Sequence, residues 1–270
     1  MSHPVRQSLH SAGVIVVKIG SSLVVDSRRQ VRAQWLASLA RDVADLTANG
    51  VTRIIIVSSG AVALGQPILG VPREHMQLAD KQAAAAAGQA LLMRAWQHAF
   101  AEQSLSVAQV LLTPGDTQPG RRADNARATL DTLASHGVIA IVNENDTVAT
   151  EELRYGDNDQ LAARVAILGA ADLLVLLSDV DGVYDKDPHA HPDANHLQSI
   201  DDLDGMIDAV APGTQTAHGT GGIHSKLLAA ARATDAGIGA VITSGLADHP
   251  LAQLAQTERC TFFPTNRGRR

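Results

Sequence analysis

Four apolar runs constrain this chain more than anything else in it. Val14-Ile15-Val16-Val17, Ile54-Ile55-Ile56-Val57, Val138-Ile139-Ala140-Ile141-Val142 and Leu173-Leu174-Val175-Leu176-Leu177 are short, aliphatic and free of polar alternation. Strands of that kind are buried on both faces, as in parallel sheets covered by helices on either side. The segments between them supply the helices. Arg32 to Asn49 carries Trp35, Leu36, Leu39, Val43 and Leu46 at helical spacing and stops at Gly50, and Gln77 to Gln103, Arg121 to His136 and Leu161 to Leu168 also read as helical. Ser106 to Leu112, Ala240 to Thr243 and Cys260 to Phe263 add strands and complete an α/β pattern. No linker or internal repeat interrupts it. Residues 1–270 therefore read as a single domain, with residues 1–12, polar and lacking the apolar core of a signal peptide, as a flexible tail.

Composition narrows the function. With 45% hydrophobic but only 3% aromatic residues the core must be aliphatic, and a net charge of −6 offers no basic field for nucleic acid. No apolar run reaches the length that spans a membrane. One cysteine, Cys260, excludes an internal disulfide framework and gives no metal-ligand spacing, so a cytoplasmic location is expected. His189, His191 and His196 lie in one polar loop, where spaced histidines usually belong to the surface rather than to a metal.

The strands deliver an unusual set of residues at their carboxyl ends, where open α/β sheets bind ligands. The first run leads into Lys18-Ile19-Gly20-Ser21-Ser22 and the second into Ser58-Ser59-Gly60-Ala61. Glycine lets a phosphate approach the backbone, and amides and hydroxyls can donate to it, although a plain structural turn would use the same residues. The third run leads into Asn143-Glu144-Asn145-Asp146, and a second cluster, Gly156-Asp157-Asn158-Asp159, opens the next helix. Such residues also cap helices and close turns; two clusters around one loop point instead to a site. Ser178-Asp179-Val180-Asp181-Gly182-Val183-Tyr184 follows the fourth run, and Gly219-Thr220-Gly221-Gly222 precedes a helix carrying Lys226. A glycine-preceded helix start is an anion site.

The 22 basic residues comprise 18 arginines and four lysines, Lys18, Lys81, Lys186 and Lys226. A compact ammonium suits a confined phosphoryl oxygen better than the flat guanidinium fork. No G-x-x-x-x-G-K-[ST] loop, G-x-G-x-x-G, G-x-S-x-G elbow or H-E-x-x-H occurs. What remains, lysines beside glycine turns at both ends of the chain with carboxylates between, is the equipment of phosphoryl transfer.

In order and spacing, the segments containing Lys18, Ser59-Gly60, Asn143 to Asp146, Gly156 to Asp159, Ser178 to Tyr184 and Gly219 to Lys226 resemble the amino acid kinase superfamily and, within it, the glutamate 5-kinase family. Asn125-Ala126-Arg127 matches that family as well. The resemblance implies a three-layer sandwich with an open, mostly parallel eight-stranded sheet, and ATP-dependent phosphorylation of the glutamate side-chain carboxylate, the first step towards proline. Lys18 and Lys226 would stabilise the moving phosphoryl group and Asp159 would orient them. Ser59, Asn143, Asp146, Asp157 and Asn158 would hold glutamate. Lys18, Ser178, Asp179, Thr220, Gly221, Gly222 and Lys226 would line the nucleotide site, with Gly20, Ser21 and Gly60 against the phosphates. Magnesium would arrive on ATP rather than on a protein site. The resemblance further implies a homo-oligomer, dimer or tetramer, feedback by proline, and a glutamyl phosphate reductase downstream.

The chain departs from the pattern in places. It stops at Arg270, so a short form without the C-terminal RNA-modification-type (PUA) domain is expected. Ser178 replaces a common threonine, Ile223-His224 replaces a methionine and a small residue, and Ala123-Asp124 precedes Asn125 where an aromatic and a leucine are usual. Two other readings stand beside glutamate kinase: a sibling kinase for acetylglutamate or aspartate, and a non-catalytic amino-acid sensor. Retention of Lys18, Lys226 and Asp159 weighs against the sensor.

Overall fold

In a computed structural model of the chain, residues 4–51, 53–148, 158–186, 188, 190–200, 202–210, 222–257 and 259–265 are described. The strands are β1 (Val14–Ile19), β2 (Arg53–Ser58), β3 (Ser106–Leu112), β4 (Val138–Glu144), β5 (Leu173–Ser178), β6 (Val183–Tyr184), β7 (His196–Leu197), β8 (Gly239–Ser244) and β9 (Cys260–Phe263). The helices are α1 (Pro4–Ser11), α2 (Ser21–Val24), α3 (Ala33–Ala48), α4 (Ala61–Leu69), α5 (Leu78–Ala101), α6 (Arg121–Ser135), α7 (Asn158–Leu168), α8 (Leu203–Ala209), α9 (Ile223–Asp235) and α10 (Pro250–Leu254).

The apolar runs form the middle of a seven-stranded sheet in the order β3-β4-β2-β1-β5-β8-β9, parallel except for the β8–β9 pair. Successive side chains on a strand point to opposite faces, and the core divides accordingly. Ile15, Val17, Ile54, Ile56, Ile139, Ile141, Leu173 and Val175 pack with Trp35, Leu39, Trp96 and Phe100 of α3 and α5. Val16, Ile55, Val57, Ala140, Val142, Leu174 and Leu176 pack with Leu130 of α6, Leu161 and Val165 of α7, and Leu227 and Ala230 of α9. This explains why the four runs had to be apolar at every position. Each buried Ile, Val or Leu contributes about 1.5–3 kcal/mol.

Two expectations are corrected. The large sheet has seven strands among the described residues rather than eight; β6 and β7, two residues each, pair with one another outside it. The segment expected to be a flexible tail is the helix α1 from Pro4, whose Val5 and Leu9 are fully buried in the α3/α5 core. One turn apart, those two residues lie on one face of the helix.

Helices α4 and α5 cross at backbone contact. A Cβ on Gly88 would lie 1.8 Å from the Ala61 carbonyl oxygen, and one on Gly65 would lie 1.8 Å from that of Ala84. Gly88→Ala should therefore destabilise by about 1–3 kcal/mol, the usual cost of overpacking, despite alanine's better helix propensity. Urea unfolding would show a lower midpoint; an unchanged or higher one would contradict this contact.

Candidate active site

Pleat parity decides which side chains meet. Lys18 stands two residues after Val16, so it leaves β1 on the α7/α9 side just where the strand ends. Asp159 is in the first turn of α7 and Lys226 in the first turn of α9. The three converge: Lys18 Nζ lies 2.5 Å from Asp159 Oδ1 and Lys226 Nζ lies 3.1 Å from Oδ2. The two lysine side chains are 7% and 4% exposed and the aspartate is fully buried. Burial by itself would push the Asp159 carboxyl up, but the charges and hydrogen bonds of Lys18 and Lys226 outweigh it and hold it below the usual carboxylate range. Two ammonium groups converging on one carboxylate in a low-dielectric place are suited to meet the charge of a phosphoryl group. Gln160 Nε2 donates to the Ser225 carbonyl at 3.1 Å and ties α7 to α9 beside the triad.

Glycines precede three helix starts here. Gly20, Gly60 and Gly222 are the N-caps of α2, α4 and α9, and none of these helices has a side-chain cap. Their first-turn amides are thus left to other acceptors, the arrangement that holds anions. Gly60 has φ 111°, a conformation that a side chain resists, and a Cβ there would press on Val25 at 3.1 Å.

On the opposite face of the sheet edge lies a network of amides. Asn143 follows Ile139 and Ile141 in parity and so faces α5, as does Ser58 after Ile54 and Ile56. Asn158 Nδ2 donates to Ser59 Oγ at 2.8 Å, Asn143 Oδ1 at 2.9 Å and the Ser58 carbonyl at 3.0 Å. Asn143 Oδ1 also accepts from the Glu144 amide, and Asn143 Nδ2 donates to Gln89 Oε1 at 2.9 Å. Trp96 Nε1 donates to Ser58 Oγ at 3.0 Å. Ser59, Asn143 and Asn158, which the family resemblance grouped together, are one hydrogen-bonded unit. Their neighbour Asp159, one residue on, turns to the lysines, so the start of α7 joins the two halves of the site.

Other expected residues stand as follows. Ser178 is buried at the end of β5 and donates to Asp179 Oδ1 at 3.0 Å. Ser21 opens α2, and Asp146 opens a single 3-10 turn, Asp146–Val148, with one residue between it and the end of β4. Asp157, Thr220 and Gly221 lie outside the described residues, as does His189. Among the described residues no three His, Cys, Asp or Glu side chains gather as a metal site; His196 stands edge-on to Tyr184, ring centroids 5.2 Å apart. Burial pushes the Cys260 thiol up to about 11, which leaves it protonated and unreactive at neutral pH. Gln89 and Trp96 were not singled out from the sequence. Polar or aromatic residues in an alanine-rich helix look like ordinary surface and core.

The amino acid kinase family model matches residues 13–244. Glutamate 5-kinase 1 of Rhizobium meliloti is 46% identical over 258 residues, 96% of this chain and 65% of that protein. Glutamate 5-kinase of Caulobacter vibrioides is 49% identical over 259 residues, 95% of this chain and 68% of that protein. The chain thus spans about two thirds of the length of these curated relatives. Two solved structures share the fold: UMP kinase from Ureaplasma parvum, TM-score 0.66 at 14% identity over 93% of this chain and 98% of the other, and T. acidophilum isopentenyl phosphate kinase, TM-score 0.60 at 18% identity over 93% and 99%. No helix among the described residues is long and apolar enough to cross a membrane.

Proposed function

Since the chain belongs to the amino acid kinase family, we propose that it transfers the γ-phosphoryl group of ATP to the side-chain carboxylate of L-glutamate, releasing ADP and L-glutamyl 5-phosphate. The observation that carries this reading is the pair of buried lysine ammonium groups held on the one carboxylate of Asp159. The names of relatives at 46% and 49% identity support glutamate as the acceptor.

In the proposed reaction a glutamate side-chain oxygen attacks the γ-phosphorus while its bond to the β–γ bridging oxygen breaks, and the electron pair leaves with ADP. The attacking carboxylate is already an anion, so no general base is needed. The chain's task is positioning and charge stabilisation. Lys18 and Lys226 donate to the oxygens on which negative charge develops, a contribution of about 2.7–4 kcal/mol for each donor placed in advance. Asp159 keeps both ammonium groups aimed without reorganisation. Gly20, Ser21, Gly60 and Gly222 supply backbone amides to the phosphates, and the Ser59–Asn143–Asn158 unit, with Asp146 and Asp157, holds glutamate. Ser178 and Asp179, with Thr220 and Gly221, complete the nucleotide side. No residue set is assigned to magnesium, which enters this reading on the nucleotide phosphates.

The product is a reactive mixed anhydride, which suits a reductase that consumes it; feedback by proline and a homo-oligomeric state, carried over from the family resemblance, and a cytoplasmic location belong to the same proposal. The test is incubation with L-glutamate, Mg-ATP and hydroxylamine, which traps an acyl phosphate as a hydroxamate. Hydroxamate with glutamate is expected. Hydroxamate with acetylglutamate or aspartate instead would move the substrate to a sibling acid, and amino-acid binding without ADP release would make the chain a sensor.

A further inference from the structure

Helix α5 lies outside the recognised motif segments, yet it reaches the glutamate half of the site with two polar side chains. Gln89 and Trp96 are seven residues apart, on one face of the helix. Gln89 Oε1 accepts from Asn143 Nδ2 at the end of β4, and Trp96 Nε1 donates to Ser58 Oγ at the end of β2. The position of α5 is fixed next to Gln89 itself, because Gly88 is in backbone contact with Ala61, two residues after Ser59.

Gln89 is only 8% exposed, and its Nε2 is buried without a hydrogen-bond partner among the described residues. An unused buried donor costs stability, and methionine or leucine at this place would avoid it. Packing therefore does not account for the amide; its oxygen does. Asn143 Oδ1 receives both the Glu144 amide and Asn158 Nδ2. Were the Asn143 amide turned over, its NH₂ would face those two donors. Gln89 Oε1 is the acceptor that makes the observed orientation complete.

We infer that Gln89 is a positioning residue for the amino-acid substrate: it sets the amide of Asn143 and, through Asn143, the place of Asn158. This rests on the proposed function. Gln89→Met keeps the side-chain length and removes the acceptor. It should raise the glutamate KM about tenfold while kcat and the ATP KM stay within about twofold, the signature of lost substrate binding rather than lost chemistry. In an Asn143→Ala background the same change should alter the glutamate KM less than about twofold, because the residue it acts through is gone. Should Gln89→Met prove insoluble, Gln89→Asn, which withdraws the amide by one methylene, carries the same comparison. A purely structural role would lower the thermal midpoint and the active fraction but leave KM where it was, and that result overturns the inference. An equal KM rise in both backgrounds overturns it too, since Gln89 would then act independently of Asn143. A wild-type chain that fails to phosphorylate glutamate removes the functional reading and this inference together, and the wild-type control separates that case from the others.

Discussion

Lys226→Met is expected to lower kcat by about 10²–10³, the effect of removing one preorganised donor from a developing charge, with the glutamate KM changed less than about threefold. The side chain is buried against Asp159, and the amide unit assigned to glutamate is built from other residues, Ser59, Asn143 and Asn158. Methionine matches its length and leaves the packing of α9 nearly intact. Asp146→Ala should do the opposite, raising the glutamate KM with a smaller change in kcat, since that carboxylate is proposed to hold the substrate and not the phosphoryl group. Steady-state kinetics with each substrate varied separates the two. Equal losses of kcat in both variants, with KM constant, would contradict the division of labour.

Asp159→Asn should have a larger reach, because it affects both chemistry and folding. Removing the carboxylate takes away the partner that two buried ammonium groups share, and breaking a buried ion pair from one side typically costs about 3–5 kcal/mol. A fall in urea midpoint should accompany a loss of kcat at least as large as that of Lys226→Met. The acid side gives an independent check. The carboxyl of Asp159 is depressed below its ordinary value of 3.8 in the folded protein, so the unfolded chain takes up the proton first as pH falls. Its stabilising contribution is thus fully present above 3.8 and is lost as pH drops through the lower folded value. The stability gap between wild type and Asp159→Asn should be constant near neutrality and narrow below that point. A gap that widened in acid would mean that the carboxyl is not held ionised by the lysines.

Much of this was legible in the chain because burial on both faces leaves a plain mark. A strand in the middle of a parallel sheet cannot carry polar residues at any position but its ends, so the four runs announced themselves, and the polar residues after them were marked as edge residues. Lys18, Ser59 and Asn143 were legible for that reason. Their grouping came only from the family resemblance, since nothing in the spacing of the residues themselves carries it. Pleat parity sends Lys18 to the α7/α9 layer and Asn143 to the α3/α5 layer, and the folded structure gives the physical reason for the division: Asn158 bonds to Ser59 and Asn143 while Asp159, next in sequence, bonds to the lysines. Val5 and Leu9 were hidden by their polar neighbours; two apolar residues one turn apart are enough to dock a short helix. Gln89 was hidden by the opposite effect, since in an alanine-rich helix nothing in the sequence distinguishes a buried amide from a solvated one.

The central claim is that Asp159 holds two lysines, distant in the chain, on one migrating phosphoryl group. A crystal structure with ADP, magnesium, glutamate and aluminium fluoride as a mimic of the phosphoryl in flight tests it most directly. Both Nζ atoms should lie within about 3.2 Å of the fluoride or its flanking oxygens while each remains on Asp159. A mimic bound with either lysine turned away from it, or seated far from both, would contradict the account.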